Sequence, residues 1–319
     1  MLSEKQLTHF KFNTLRSLKT NILVFFLLCF SLNTFAQEEI PVQKYTAHNK
    51  GKFFVMWGGN RESYSKSDVT FTGKDYKFRV EDMSAHDKPK GWHVDYINPA
   101  NMTIPQTNLR LGYFFSDHYS VTIGVDHMKY VMAQNQTAKV NGYINLPAND
   151  PAAALYNGDY VNRPVDMSLN GAIEGGYDMG VTNPNGPAFL MYEHTDGLNY
   201  INTEVSRFDD ISKLFSLPNI DKVQINLTEG LGAGILYPKT NTTLLGKERH
   251  DDFHVSGYGI SAKAGLNITF FKHFYLQGEL KGGYIDMHDI KTTVSNDDKA
   301  SQHFYYFQRI IAVGGIFRI

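Results

Sequence analysis

The sequence is short of cysteine, of tryptophan and of long apolar runs, and each shortage excludes something. Its 319 residues include a single cysteine, Cys29. That residue lies in an N-terminal stretch patterned as a secretory signal, so the exported chain is expected to contain none. Disulfides and thiol chemistry are thereby excluded, although the compartment would permit disulfides. After Gln37 no apolar run approaches the roughly 18 residues that a membrane helix needs. Charge of one sign is also lacking. Removing residues 1–36 takes four of the 31 basic and one of the 32 acidic residues, leaving 27 against 31 and a formal charge of −4. That balance gives no reason to expect nucleic acid as a partner.

What is present is tyrosine, phenylalanine and glycine. The 19 Tyr and 22 Phe stand beside two Trp and 27 Gly. Tyr and Phe favour strands and membrane interfaces alike. At the N-terminus Lys5, Lys11, Arg16 and Lys19 precede the apolar stretch Ile22–Leu32, and Thr34-Phe35-Ala36 follows. This is the layout of a signal peptide over 1–36, with cleavage expected before Gln37 and a short periplasmic segment at 37–51. The apolar stretch is too short to span a bilayer as a helix. Leu28 precedes Cys29 where lipoprotein attachment wants a small residue.

Beyond position 52 the dominant pattern is period-2 alternation over unusually long segments. In 257–270, Tyr258, Ile260, Ala262, Ala264, Leu266, Ile268 and Phe270 share one face, opposite Gly259, Ser261, Lys263, Gly265, Asn267 and Thr269. The next segment repeats the arrangement, with Phe274, Leu276, Leu280 and Tyr284 against Tyr275, Gln277, Glu279 and Lys281. An apolar face edged by aromatics, opposite a polar face, is what a lipid-facing strand requires. Eight segments follow this rule, at about 52–65, 106–115, 119–132, 198–211, 223–237, 253–270, 273–290 and 302–319. Their connections alternate between tight turns, such as 116–118 and 271–272, and long polar stretches at about 66–105 and 133–197. Short periplasmic turns and longer outside loops are the asymmetry of outer-membrane barrels. The expected fold is all-β, an antiparallel transmembrane β-barrel of eight strands over 52–319, in the outer membrane of a Gram-negative cell envelope.

Val313, Gly315, Phe317 and Ile319 put an apolar, aromatic-bearing face at the end of the last segment. This resembles the terminal strand that the barrel-assembly machinery recognises. The whole pattern resembles the eight-stranded family of the OmpA membrane domain and OmpX. That resemblance implies an outer-membrane location with lipid and lipopolysaccharide around the barrel.

Eight strands leave an interior just wide enough to be filled by side chains. Parity directs Glu62, Arg110, Asp126, Glu204, Lys263, Glu279 and Lys281 inward, where three cations and four anions are expected to form a neutralising ion-pair network. His127, Lys129 and Arg309 fall on the lipid-facing parity near the outer rim, a placement suited to lipid phosphate. Glu229 also has lipid-facing parity, unless a bulge turns it inward.

No serine elbow, metal-binding His-x-x-x-His helix, P-loop or dinucleotide fingerprint is present, so no cofactor and no metal are expected. Glu193-His194-Thr195-Asp196-Gly197-Leu198-Asn199 resembles the His-x-Ser-Asn motif of lipid A 3-O-deacylase barrels, with Asp196 in the serine position. Under that resemblance His194 would be the base and Glu229 its acidic partner. His194 has the wrong parity unless Gly197 makes a bulge. A rim cluster of His250, Asp251, Asp252, His254, His288 and Asp289 carries metal-ligand residue types but reads as solvated surface. The 133–197 stretch, with Tyr143, Tyr156, Tyr160 and Tyr177, reads as irregular and suited to a glycan or protein surface. The expected function is that of a non-enzymatic barrel whose loops meet envelope lipid, glycan or another surface. A lipid A-modifying acyl hydrolase and a narrow solute channel are the alternatives.

Overall fold

The computed structural model describes residues 49–91, 93–97, 105–167, 188–217, 219–247, 249–250 and 252–319. The signal peptide expected at 1–36 and most of the 37–51 segment lie outside the described residues. Fourteen strands occur among the described residues: β1 Phe53–Tyr64, β2 Ser67–Gly73, β3 Tyr76–Met83, β4 Ala85–His86, β5 Thr107–Phe114, β6 Tyr119–Met132 and β7 Thr137–Ile144, then β8 Gly158–Asp166, β9 Leu190–Asp210, β10 Val223–Leu236, β11 Asn241–Leu244, β12 Gly257–Phe270, β13 Phe274–Lys291 and β14 Lys299–Phe317.

Eight of them pair antiparallel in the order β1-β5-β6-β9-β10-β12-β13-β14, and β14 pairs back onto β1 from Phe53↔Phe317 to Tyr64↔Tyr306. The sheet is therefore closed on itself, as strands that cross lipid require. These are the eight alternating segments. Side chains of one parity, including Leu111, Ile123, Leu231, Ile260, Ile311 and Val313, are exposed. Aromatic rings bound this band at both ends. Phe53 packs 4.9 Å from Tyr113 and 6.3 Å from Phe317 at the short-turn end, and Tyr284 lies 5.3 Å from Tyr305 at the other. The β12–β13 turn is made by Phe271 (φ 52°) and Lys272 (φ 67°), the two positive φ values of a type I′ hairpin.

The long connections are not irregular, which corrects the expectation for 133–197. Above the point where β1 ends, β14 takes β2 as its partner, and the sheet runs on through β3, β7 and β8. β4 flanks the outer end of β6, and β11 flanks that of β9. These strands form because each short run alternates: Val69 and Phe71 on β2, Phe78 and Val80 on β3, and Val140 on β7 are all buried. They pack with Tyr130, Tyr192, Ile290 and Phe304 from the outer ends of the ring strands, and with Phe189 and with Leu244 of β11, into one apolar core. Phe71 lies 5.6 Å from Tyr192, and Phe78 lies 5.4 Å from Phe189. Each such side chain contributes about 1.5–3 kcal/mol by leaving water.

Candidate functional site

Three layers of inward side chains fill the ring. At the short-turn end Phe54, Met56, Phe114, Tyr275, Ile310 and Ile316 form an apolar plug. Two glycines make room for it. A Cβ on Gly112 would lie 2.1 Å from the Phe54 ring, and one on Gly314 would lie 2.2 Å from that of Tyr275.

The middle layer is ionic. Arg110 Nη1 donates to Glu279 Oε1 at 2.8 Å, and its Nε lies 3.2 Å from Glu204 Oε2. Its Nη2 is 3.6 Å from Asp126 Oδ1. Lys281 Nζ is 2.8 Å from Glu204 Oε1 and also reaches Asp126. Lys263 Nζ is 2.5 Å from Glu204 Oε2 and 3.6 Å from Glu279 Oε2. Amides complete the shell: Asn202 Nδ2 donates to Asp126 at 3.2 Å, and Gln277 Nε2 donates to Glu279 at 2.8 Å. Arg110, Lys263 and Lys281 thus face Asp126, Glu204 and Glu279 in equal number. Glu62, the seventh inward residue singled out by parity, stands apart. Its carboxylate accepts from Gln308 Nε2 at 2.9 Å and from Gln106. Above it lies the apolar core shared with the outside strands, where Gln302 Nε2 donates to the Tyr130 hydroxyl at 2.6 Å.

The candidate hydrolytic pair is not brought together. The register of β6 on β9 shifts between Met128↔Leu198 and Tyr130↔His194, and Gly197 has φ 141°. Four residues of β9 stand against two of β6 here, so the bulge leaves His194 on the inward parity of Leu198 and Glu204, not on the lipid face that pairing with Glu229 requires. The ring is fully buried between Tyr192 at 5.0 Å and Tyr130 at 5.7 Å, with Nδ1 2.9 Å from Thr240 Oγ1. Glu229 lies on an uninterrupted stretch of β10 opposite Arg207 and is exposed on the outer wall. No bulge turns it inward. From position 194 to position 207, β9 covers about 40 Å at roughly 3.3 Å per residue. A base and an acid on opposite faces at that separation cannot share a proton.

The outward cations also divide. His127 is 3% exposed, and its Nδ1 is 2.7 Å from Asn199 Oδ1 on β9. It is enclosed by protein and touches no lipid, which corrects its assignment to lipid phosphate. His127 and Asn199 are direct cross-strand partners just before the register of β6 on β9 shifts. Beyond Thr107 β1 comes within reach of β6, and Asn60 Nδ2 lies 3.4 Å from the His127 carbonyl. Lys129, half-buried, sits among the charges of Lys88, Lys90, Asp87 and Asp196, not in the apolar band. Arg309 is exposed on the outer wall, directly opposite Arg61 of β1. Arg61 was missed by the sequence reading, although the parity that sent Glu62 inward sends its neighbour outward.

At the rim, Asp289 accepts from His254 Nε2 at 2.8 Å and from Lys299 Nζ at 2.7 Å, and Asp251 lies outside the described residues. Among the described residues no three His, Cys, Asp or Glu side chains converge as metal ligands. Of the tyrosines proposed for surface binding, Tyr160 is buried and Tyr156 packs 5.2 Å from Phe189. Tyr143 is exposed, and Tyr177 lies outside the described residues.

A closed antiparallel ring of eight strands, apolar outside between two aromatic girdles and charged within, is an outer-membrane β-barrel. Neither a protein-family model nor a curated protein matches the chain. Among solved structures it is similar to the outer-membrane protein OprG from Pseudomonas aeruginosa, at 9% identity over 86% of this chain and 99% of that one, with a TM-score of 0.37. It is also similar to Neisserial surface protein A, at 8% identity over 83% and 99%, with a TM-score of 0.29. A third is Ail, the attachment invasion locus protein of Yersinia pestis, in complex with the heparin analogue sucrose octasulfate, at 8% identity over 84% and 99%, with a TM-score of 0.26.

Proposed function

We propose that the protein is a non-enzymatic, non-conducting barrel that serves as a pedestal for the sheet outside the membrane, and that this sheet and its turns meet envelope lipid, glycan or another surface. One observation carries this reading. The interior is filled from the Phe54–Ile316 plug through the Arg110–Glu204–Lys281 ion pairs, and the apolar core above is shared with β2, β3 and β7. A side-chain stack of this kind supports rigidity and leaves little room for a solute path. The outside sheet presents Tyr143 and Val161 to solvent, the short helix between β7 and β8 presents Leu155, and Val161 is 80% exposed. Exposed apolar residues close together on a surface mark contact sites.

The test is single-channel recording on the refolded protein in planar bilayers. Stable baseline current at 100 mV, with folding verified by heat-modifiable gel mobility, is the expected result. Discrete conductance steps that vanish in Glu279→Gln would overturn the pedestal in favour of a narrow channel through the ionic layer.

A further inference from the structure

The outer wall of β1 and β14 carries an arrangement that the pedestal does not need. Arg61 and Arg309 are directly opposed cross-strand partners on the face turned to lipid. Like charges in that position repel. Among the described residues no carboxylate lies within ion-pair distance of either guanidinium. Arg61 is held in place regardless. Its Nη1 donates to the Asn60 carbonyl at 2.6 Å and to the Tyr96 hydroxyl at 3.1 Å. The Tyr96 ring lies against Gly59, where a Cβ would be 3.2 Å from it, and the Tyr96 carbonyl accepts from the Trp57 indole at 2.5 Å. The turn at Val94–Ile97 is thus pinned against the outer wall, and it steadies one half of a cationic pair that has no counter-charge among the described residues.

Height locates the pair. On β14 Arg309 lies between Phe317 of the inner girdle and Tyr305 of the outer one, about 20 Å above the former for strands tilted near 40°. This is the outer third of the apolar band, within a side chain's reach of the outer headgroups. Below the pair, across β1, β14 and the neighbouring β13, an apolar trough of about 610 Å³ is lined by Val55, Trp57, Phe274, Leu276, Val313 and Gly315. It begins about 13 Å from Arg309 along β14. Outward glycines deepen this wall: nothing lies within 4 Å of a Cβ built on Gly278, and only the His273 carbonyl, at 3.7 Å, approaches one on Gly315.

From this juxtaposition we infer that the β1–β14 wall binds one lipid A molecule of the outer leaflet, with a phosphate between Arg61 and Arg309 and an acyl chain in the trough below. Two guanidinium forks suit a phosphate that each can grip with paired N–H donors, and the phosphate removes the repulsion between them. The inference adds, on the barrel wall, a lipid contact separate from the one proposed for the outside sheet. It does not depend on whether the lumen conducts, so the recording above and the experiment below fail independently.

The experiment is native mass spectrometry of the refolded protein in detergent, titrated separately with lipid A, dephosphorylated lipid A and phosphatidylglycerol. Wild type should retain lipid A at one to one, with dephosphorylated lipid A and phosphatidylglycerol each held roughly tenfold more weakly. Arg61→Gln with Arg309→Gln should lose a similar factor, and Gly315→Trp, which fills the trough with both arginines intact, should also weaken retention. Lys139→Gln, on the outside sheet, should change nothing. Equal retention of lipid A and its dephosphorylated form by wild type would overturn the inference even if the arginine variants fail to fold. Preference for phosphatidylglycerol, unchanged binding in the double variant, or absence of a lipid A adduct would overturn it as well.

Discussion

Lys281 is fully buried and Lys299 is about half exposed, yet each is ion-paired at under 3 Å. Their substitutions should therefore differ in cost. Lys281→Met leaves buried Asp126 with Arg110 as its remaining ion-pair partner, which Glu204 and Glu279 already share, and should cost about 3–5 kcal/mol. Lys299→Met, at the rim beside Asp289, should cost about 0–1 kcal/mol. Urea titration in lipid vesicles reads both, and equal costs would mean that water reaches the ionic layer. Glu229 carries the opposite expectation. Its carboxylate faces lipid, and Arg207 across the ladder is already 2.7 Å from Asp209. Glu229→Leu should stabilise the barrel by about 1–2 kcal/mol in the same titration; a loss would tie Glu229 to Arg207. Parity alone made the seven interior charges legible at this scale, because alternation with period 2 depends only on the strand being regular. It also put His194 on the inward face, which the bulge at Gly197 leaves unchanged, but it could not say that protein rather than lipid covers His127.

The elements divide in the same way. The ring strands were legible because each is long and amphipathic, and because the aromatics at their ends mark the membrane boundaries. The outside strands were not. β2, β3, β7 and β8 have seven to nine residues each, and β7 joins β3 across more than fifty positions of chain. Pairings of that kind are fixed by shared burial, which a local pattern does not reveal. Their stability should rest on the core beneath them. Phe71→Ala, emptying a fully buried site against Phe78 and Tyr192, should cost about 3–5 kcal/mol. Because the ring has its own interior, this loss should appear as protease cleavage within 133–167 while gel mobility still reports a folded barrel. Loss of both signals together would make ring and outside sheet one cooperative unit.

For the molecule as a whole, the even strand count and the alternation of short and long connections were both readable, since closing a barrel with all short turns on one side leaves few other solutions. The same closure has a kinetic side. β12 and β13 meet across the tight turn at 271–273, but Phe53 and Phe317 must find each other across about 260 residues, a loop whose closure costs about 5 kcal/mol in chain entropy. The β1–β14 seam should therefore be the last to zip. Until it does, both strands carry bare rows of N–H and C=O groups. The pair that leaves the finished barrel without an edge thus gives the unfinished one two adhesive edges, where an assembly catalyst can take hold and where a wrong strand can do the same.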